Sequence, residues 1–135
     1  MENILEYKTD FTVFPDDLNF SKTLFGGRLL EKIDIASATL ARKLLYKTEA
    51  DGAVTASMDK IDFLTPAHLG DLITIKSILK SLGRSSMVIR CDVTKENLHG
   101  EVEKICTGII TFVAVKNEKP IPHNLCFADL IKNII

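Results

Sequence analysis

A carboxylate within a predicted helix is the first residue whose type and position could do chemistry. Residues 28–46 contain neither glycine nor proline, and at 100° per residue a mostly apolar set of side chains falls within an arc of about 100°. The members of this apolar stripe are Leu30, Ile33, Ser37, Leu40, Ala41 and Leu44. Asp34 projects about 40° from Leu30, within the stripe. Because an unpaired buried charge costs several kcal/mol, such a carboxylate must be hydrogen-bonded or face a cavity.

Two interpretations of Asp34 follow from this position. Desolvation would make it a stronger base than a surface aspartate, which suits a catalytic role. Alternatively, it is a structural carboxylate that is hydrogen-bonded to a strand or to a neighbouring subunit. The residues around Asp34 leave both interpretations open.

The adjacent glycines Gly26 and Gly27 stand just before this predicted helix. One interpretation is a tight loop whose backbone torsions only glycine tolerates. The other interpretation is functional. Without side chains, a ligand could approach the free N–H groups of the first helical turn, where the helix dipole favours a developing oxyanion.

Several kinds of chemistry lack their usual sequence signals. The sequence contains no GxGxxG, no GxxxxGK[ST], no GxSxG and no HExxH. Its three histidines fall in separate predicted turns, so we expect neither a histidine-centred triad nor a metal site. The cysteines Cys91, Cys106 and Cys126 are odd in number and lack CxxC spacing. We therefore interpret them as reduced thiols in the core rather than as disulfides or zinc ligands.

The rest of the sequence predicts mainly strands, from alternating or continuous apolar patterns. The predicted strands are 7–13, 54–63, 72–82, 86–94 and 104–115. Turn residues at 83–85 predict a hairpin between two of them. The last strand is apolar at both parities, which is typical of a strand covered on both faces. Residues 124–135 predict a short amphipathic helix.

The order of these elements indicates an α+β fold, in which an antiparallel sheet covers one apolar face with a single long helix. The edges of such a sheet stay unpaired in one copy, so we expect at least a homodimer. A monomer with charged edge strands is the alternative. We predict one domain over residues 1–135, in which 120–135 form a C-terminal tail.

Length, charge and hydropathy limit the classes of partner. The chain has 135 residues, of which 46% are hydrophobic, and a formal net charge of -1. It therefore lacks the broad positive field of non-specific nucleic-acid binding proteins, and we expect no nucleic-acid partner. The longest apolar run, 105–115, is shorter than the roughly 20 residues of a membrane helix, and the first ten residues include acidic ones. We therefore expect a cytoplasmic protein without a membrane partner.

Linked motifs between residues 11 and 122 resemble a known family. The segment from residue 15 reads PDDLNFSKTLFGGRLLEKIDIASATLAR. It resembles the N-x-x-x-x-x-F-G-G-x-x-x-x-x-x-D signature of the hotdog-fold acyl-CoA thioesterases, the short bacterial acyl-CoA hydrolases related to the mammalian brain and cytosolic enzymes. The later segments VTASMDKIDFLTPAHLGD, LGRSS and ITFVAVKNEKPIP resemble the stretches that follow in this family. Several motifs in the same order are more specific than any one of them.

The resemblance implies a fold, an activity and a site. The implied hotdog fold is an antiparallel five- to six-stranded sheet wrapped around one long central helix. The implied activity is hydrolysis of acyl-CoA to a free acid and coenzyme A, without a metal or redox cofactor. Two protomers would form the site, with Asp34 of one opposite Asn19 of the other. Asp34 would activate water or attack the thioester, Asn19 would hold water or substrate, and the backbone at Gly26 and Gly27 would stabilise the oxyanion.

The resemblance also bears on coenzyme A and on assembly. Gly83, Arg84, Ser85 and Ser86 supply a guanidinium, two hydroxyls and turn amides. By themselves they indicate an ordinary hairpin turn, whereas the resemblance implies contact with the phosphates or with pantetheine. Thr55 would line the same cleft. The family further implies a hexamer built as a trimer of dimers.

Two residues depart from the family pattern. The family usually has glycine where this chain has Lys22, and often an aromatic residue where it has Arg28. Both substitutions add positive charge near the start of the helix. We interpret Arg28 as a surface residue and expect the shape of the loop and the entrance of the acyl pocket to differ.

Two other functions stay open. The first is a non-catalytic hotdog module that binds acyl-CoA as a sensor or scaffold. The second is a hydratase acting on unsaturated acyl-CoA, although the acid–base histidine of such enzymes has no counterpart on this helix.

Overall fold

Six strands form one antiparallel sheet in the computed structural model, which describes residues 5–132. The strands are β1 (Glu6–Thr12), β2 (Gly52–Phe63), β3 (Leu72–Leu82), β4 (Ser86–Glu96), β5 (Val102–Lys116) and β6 (Lys119–Pro120). The first five lie in the order β1-β3-β4-β5-β2, and β6 pairs with β5. The five predicted strands are confirmed, with ends that differ by at most two residues. β6 has only two residues and gives no sequence signal.

One long helix, α1 (Gly26–Leu44), lies against one face of this sheet and contacts β1 to β5. Its buried side chains are Leu29, Ile33, Ala36, Ser37, Leu40, Ala41 and Leu44. The predicted α+β fold is therefore confirmed, although α1 begins and ends two residues earlier than predicted. Within residues 5–132, no helix has the length and apolar character needed to cross a membrane.

Side chains that face α1 alternate along the central strands. In β3 and β4 almost every second residue is buried, beginning at Ile73 and Met87 respectively. β5 follows the same rule through Ile110 and Phe112. The prediction that β5 is covered on both faces is wrong for one protomer, because residues on its other face, such as Ile109, are only half-buried.

A buried polar contact fixes α1 over the sheet. The Ser37 hydroxyl and the Cys91 thiol share a hydrogen bond, with 2.8 Å between Oγ and Sγ, and the Ser77 hydroxyl lies 3.5 Å from the same sulfur. All three side chains have no exposed surface. Burial raises the pKa of the Cys91 thiol, so the thiol stays protonated near neutral pH. Because one partner is on α1 and two are on strands, the contact sets the rotation of the helix.

The three cysteines are free. Cys91 and Cys106 are buried as predicted, and burial raises the pKa of Cys106 to about 11. The prediction of a core thiol is wrong for Cys126, which is exposed and donates to the Asp129 carboxylate at 3.2 Å. Among residues 5–132, no three His, Cys, Asp or Glu side chains are grouped so that they could hold a metal ion.

The C-terminal segment returns to the hairpin between β3 and β4. His123 is only 4% exposed, and its Nδ1 accepts the N–H of Leu125 at 3.0 Å. Its Nε2 therefore carries the hydrogen and donates to the carbonyl of Ser86, also at 3.0 Å. The segment ends in α2 (Phe127–Lys132), which confirms a short helix there. Residues 133–135 of that prediction lie outside the described part of the chain.

Replacing Ile33 by alanine tests the packing of α1. Ile33 has no exposed surface, and truncation of such a side chain costs about 2–5 kcal/mol because it leaves a cavity. We expect Ile33→Ala to lower the free energy of unfolding by this amount, measured by urea denaturation. Glu31→Ala, at an exposed position of the same helix, should change it by less than about 0.5 kcal/mol. Equal effects of the two substitutions would contradict the placement of Ile33.

Candidate active site

Asp34 lies near the middle of α1, with its carboxylate directed to β2. Its Oδ1 accepts a hydrogen bond from the Thr55 hydroxyl, with 2.7 Å between the two oxygens. Its second oxygen makes no hydrogen bond within the described residues. Asp34 and its neighbours on the same side of the helix, Leu30 and Ala38, are half-buried. The structure thus joins Asp34 to Thr55, which the sequence analysis places in separate roles.

The burial of Asp34 differs from the sequence expectation. The buried face of α1 is centred near Ile33, about 30° from the centre of the predicted stripe, and Leu30 is only half-buried. Asp34 projects about 100° from the centre of this face. It therefore lies at the flank of the apolar face, where the carboxylate is partly shielded yet accessible.

Asn19 organises the loop that leads to α1. Its Oδ1 accepts the N–H groups of Ser21 and Thr23 at 2.9 and 3.1 Å, and its Nδ2 donates to the Thr23 hydroxyl at 3.0 Å. These bonds are typical of a side chain that stabilises a turn. One Nδ2 hydrogen remains available to an outside acceptor, because the amide has two.

The two departures from the family pattern have separate structural consequences. Lys22 has a φ of 67°, in the left-handed region that glycine adopts without cost. Arg28 lies 3.6 Å from the Asp17 carboxylate and donates to the Asp16 carbonyl at 3.4 Å. Arg28 therefore ties the start of α1 to the short 3-10 turn at Pro15–Asp17, in agreement with its interpretation as a surface residue.

Gly26 and Gly27 are the first two residues of α1. Neither has a positive φ, so the interpretation of a loop with torsions reserved for glycine is wrong. The constraint at Gly27 is space, because an added Cβ would lie 2.7 Å from a ring carbon of Phe25. At Gly26 it would lie 3.6 Å from the Phe63 ring, an ordinary contact. The amides of both glycines have no acceptor among residues 5–132, as expected at a helix start.

One protomer does not bring these amides to Asp34. Gly26 and Asp34 are eight residues apart on one helix, which corresponds to about 12 Å along its axis. A cavity of about 320 Å³ lies at the glycine end, lined by Gly26, Leu29 and Phe63 among others. The predicted site is therefore divided between the two ends of β2. Phe63 at the end of the strand lies beside Gly26, and Thr55 near its start is bonded to Asp34.

The residues predicted to contact coenzyme A form the hairpin turn between β3 and β4. The N–H of Gly83 donates to the carbonyl of Ser86, and the N–H of His123 donates to the carbonyl of Arg84. The Arg84 side chain is exposed, and Ser85 is half-buried. The turn is therefore held by its backbone, which leaves the guanidinium and the hydroxyls free for a ligand.

Strand register relates this turn to Asp34. Ser86 pairs with Val113 of β5, and Val113 pairs with Val54 of β2. Ser86 is thus level with the residue before Thr55 and two strands away, about 10 Å at the usual strand spacing. The turn and the bonded pair of Asp34 and Thr55 lie at the same end of the sheet.

Sequence reasoning missed a cavity beside this pair. The cavity has a volume of about 460 Å³ and lies between the C-terminal half of α1 and the start of β2. Ala38 and Arg42 line its helix side, and Ala53 lines its strand side. The available signal is the small side chain at Ala38, one turn after Asp34, and the small residues just before Thr55.

Comparisons with known proteins agree with this architecture. Residues 21–101 match the thioesterase superfamily. The chain is 45% identical over 113 residues to YkhA, an uncharacterised acyl-CoA thioester hydrolase of Bacillus subtilis. That match covers 82% of this chain and 63% of the relative, so the chain spans less than two thirds of the relative's length.

The solved structures similar in fold include acyl-CoA hydrolases and thioesterases as well. The acyl-CoA hydrolase from Bacillus cereus has a TM-score of 0.81 at 36% identity, covering 89% of this chain and 72% of that one. The acyl-CoA hydrolase of Staphylococcus aureus has a TM-score of 0.78 at 31% identity, and the match covers 87% of this chain and 70% of that one. It was solved with butyryl coenzyme A, coenzyme A and coenzyme A disulfide. Two other similar thioesterases, one from Yersinia pestis, are hexameric.

The sheet and its single long helix form a hotdog fold, and the chain belongs to the thioesterase superfamily.

A glycine at position 22 tests the strain in the Asn19 loop. Because Lys22 has a left-handed conformation that costs about 1 kcal/mol for a residue with a Cβ, we expect Lys22→Gly to raise the free energy of unfolding by about 0.5–1 kcal/mol. The control Lys22→Ala removes the same charge and keeps the Cβ, and it should give no such gain in a chemical denaturation experiment. A stabilisation of equal size in both variants would show that charge, not backbone conformation, is responsible.

Proposed function

We propose that the protein hydrolyses acyl-CoA thioesters to the free acid and coenzyme A. The observation that carries the proposal is the hydrogen bond between Thr55 and Asp34, which holds a carboxylate at the flank of α1, one helical turn from a cavity that Ala38 lines. The names of similar proteins support the substrate class, since relatives and structural neighbours are called acyl-CoA hydrolases. The binding of butyryl coenzyme A to the Staphylococcus aureus protein supports it further.

In the proposed reaction, Asp34 acts on the thioester carbonyl through water or directly. As a base, it takes a proton from the water that attacks the carbonyl carbon; as a nucleophile, its oxygen attacks that carbon itself. The Thr55 hydroxyl holds one carboxylate oxygen and leaves the other free to react. The carbon–sulfur bond then breaks, and the coenzyme A thiolate takes up a proton. On the nucleophilic route a water molecule then hydrolyses the anhydride between the acyl group and Asp34, which releases the acid and restores the carboxylate. Neither route requires a metal or redox cofactor.

A second copy completes the proposed site. The amides of Gly26 and Gly27 are about 10–12 Å from Asp34 along the helix axis within one protomer, too far to stabilise an oxyanion beside it. β2 is a twelve-residue edge strand, and antiparallel pairing of two such edges about a twofold axis sets the first half of one beside the second half of the other. Asp34 and Thr55 would then face Gly26 of the partner subunit.

The same pairing brings the Asn19 loop toward Asp34 of the other copy. In this arrangement the spare Nδ2 hydrogen of Asn19 holds water or the substrate carbonyl. The Staphylococcus aureus hydrolase was solved with an asparagine and an aspartate, fifteen residues apart, each replaced by alanine, and a third variant replaces a threonine. Asn19 and Asp34 are also fifteen residues apart, which supports the proposed roles.

The hairpin turn is the proposed contact for coenzyme A. The exposed Arg84 guanidinium can pair with a phosphate, and the hydroxyls of Ser85 and Ser86 can donate to the phosphates or to pantetheine. Gly83 permits the close turn, because an added Cβ there would collide with the Ser86 hydroxyl.

Assembly and location complete the proposal. The hexameric thioesterases among the structural neighbours support a trimer of dimers for this chain. Two of its free thiols are buried and held protonated, which suits the reducing cytoplasm. We place the protein there, as one hotdog domain per protomer.

Replacing the carboxylate of Asp34 by an amide tests the mechanism. We expect Asp34→Asn to reduce thiol release from a panel of acyl-CoA esters by about 10²–10⁴-fold, because an amide neither takes a proton from water nor attacks a carbonyl. Asp10→Asn is a matched control, since the Asp10 carboxylate also accepts a threonine hydroxyl at 2.7 Å, from Thr74 on the far side of the sheet. The control should keep wild-type activity.

Two results would contradict this proposal. Full activity of Asp34→Asn would remove Asp34 from the chemistry. Tight binding of acyl-CoA by the wild-type protein, without thiol release at any chain length, would identify a non-catalytic module instead.

An added charge on the outer side of α1 tests the two-copy site. Ile35 is 58% exposed in one protomer and follows Asp34 directly, so we expect the partner subunit to cover it. Ile35→Arg should reduce the mass measured by light scattering to that of the 15.0 kDa protomer and abolish thiol release in parallel. Leu98→Arg, at a 92% exposed position after β4, adds the same charge and should do neither. An active monomer of Ile35→Arg would show that one copy holds a complete site.

A further inference from the structure

We infer that the cavity between α1 and β2 receives the acyl group and selects a short chain that ends in a carboxylate. The inference rests on the proposed thioesterase function and deepens it by naming a substrate class, the coenzyme A monothioesters of dicarboxylic acids. It depends on three features: where the cavity begins, which groups stand at its far end, and how far apart Asp34 and Arg42 lie along α1.

The near end of the cavity lies one helical turn from the proposed catalytic carboxylate. Ala38 lies one helical turn beyond Asp34, so the two are on the same side of α1. Ala53 lies two residues before Thr55, so these two are on the same face of β2. Both side chains are small, which leaves about 460 Å³ open between helix and strand. A thioester carbonyl at Asp34 can therefore extend its acyl chain into this space.

Hydrogen-bond donors stand at the other end of the cavity. Arg42 and Tyr46 both line it, and neither side chain has a hydrogen bond or an ion pair within the described residues. The one carboxylate in the lining, Asp51, accepts the N–H of Asn117 at 2.9 Å. The far end thus presents an exposed guanidinium and an exposed phenol, groups that suit a carboxylate better than a methyl group.

The spacing of Asp34 and Arg42 along α1 fits a five-carbon diacid. Asp34 and Arg42 are eight residues apart on α1, about 12 Å along the axis. An extended five-carbon chain spans about 5 Å between its two carboxyl carbons, given C–C bonds of about 1.5 Å. Contacts of about 3 Å at each end bring the total close to that separation. The Arg42 side chain is long and flexible enough to take up the remaining difference.

Glutaryl-CoA and pentanoyl-CoA test the inference, because both have five acyl carbons and differ only in the terminal group. We expect the wild-type protein to have a higher kcat/KM for glutaryl-CoA. Arg42→Gln should lower the ratio of the two kcat/KM values at least tenfold, mainly through the KM for glutaryl-CoA. Lys8→Gln removes one positive charge from β1, the opposite edge of the sheet, and should leave the ratio unchanged.

A second variant tests the cavity itself. Ala38→Leu fills the space next to Asp34, so it should lower kcat/KM for glutaryl-CoA at least tenfold relative to acetyl-CoA, whose acyl group does not reach the cavity. A wild-type preference for pentanoyl-CoA, or an unchanged ratio in Arg42→Gln, would overturn selection of a terminal carboxylate. An unchanged profile in Ala38→Leu would overturn the acyl site. Absence of thiol release from every ester by the wild-type protein would instead overturn the proposed function.

Discussion

The packing of α1 against the sheet is the interaction on which the rest of the structure depends. Seven side chains of one helix are buried, and five strands contact it, so the rotation of this helix decides which of its residues reach solvent. The hydrogen bond between Ser37 and Cys91 fixes that rotation inside the core. Asp34, three residues before Ser37, is thereby directed to β2, where it meets Thr55.

The flank of a buried helix face is a favourable place for a reactive carboxylate. A fully buried Asp34 would need compensation for lost hydration, and a fully exposed one would be surrounded by water. At the flank, one oxygen is held by Thr55 and the other stays accessible. About two turns earlier, the amides of Gly26 and Gly27 on the same helix have no acceptor among residues 5–132.

Patterns in the sequence predict the elements well, and the contacts between elements less well. The alternation of apolar residues predicts both ends of β3 correctly, because its buried and half-buried positions follow the two-residue period of a strand. The phase of α1 is harder, because Leu29 and Leu30 are equally apolar and only the shape of the sheet decides which is buried. The partner of Asp34 is 21 residues away in sequence, so no local pattern reveals it. The φ of Lys22 is likewise hidden, except through the glycine that the family usually has there.

The long unpaired edge of β2 has a consequence for how turnover depends on abundance. If each copy contributes half of every site, both sites of a dimer form on association and are lost on dissociation. A dissociated chain then has no catalytic activity. At concentrations well below the dissociation constant, the rate then rises with the square of the amount of polypeptide rather than in proportion to it. A modest change in expression would thus act as a threshold on thioester consumption, without any dedicated effector.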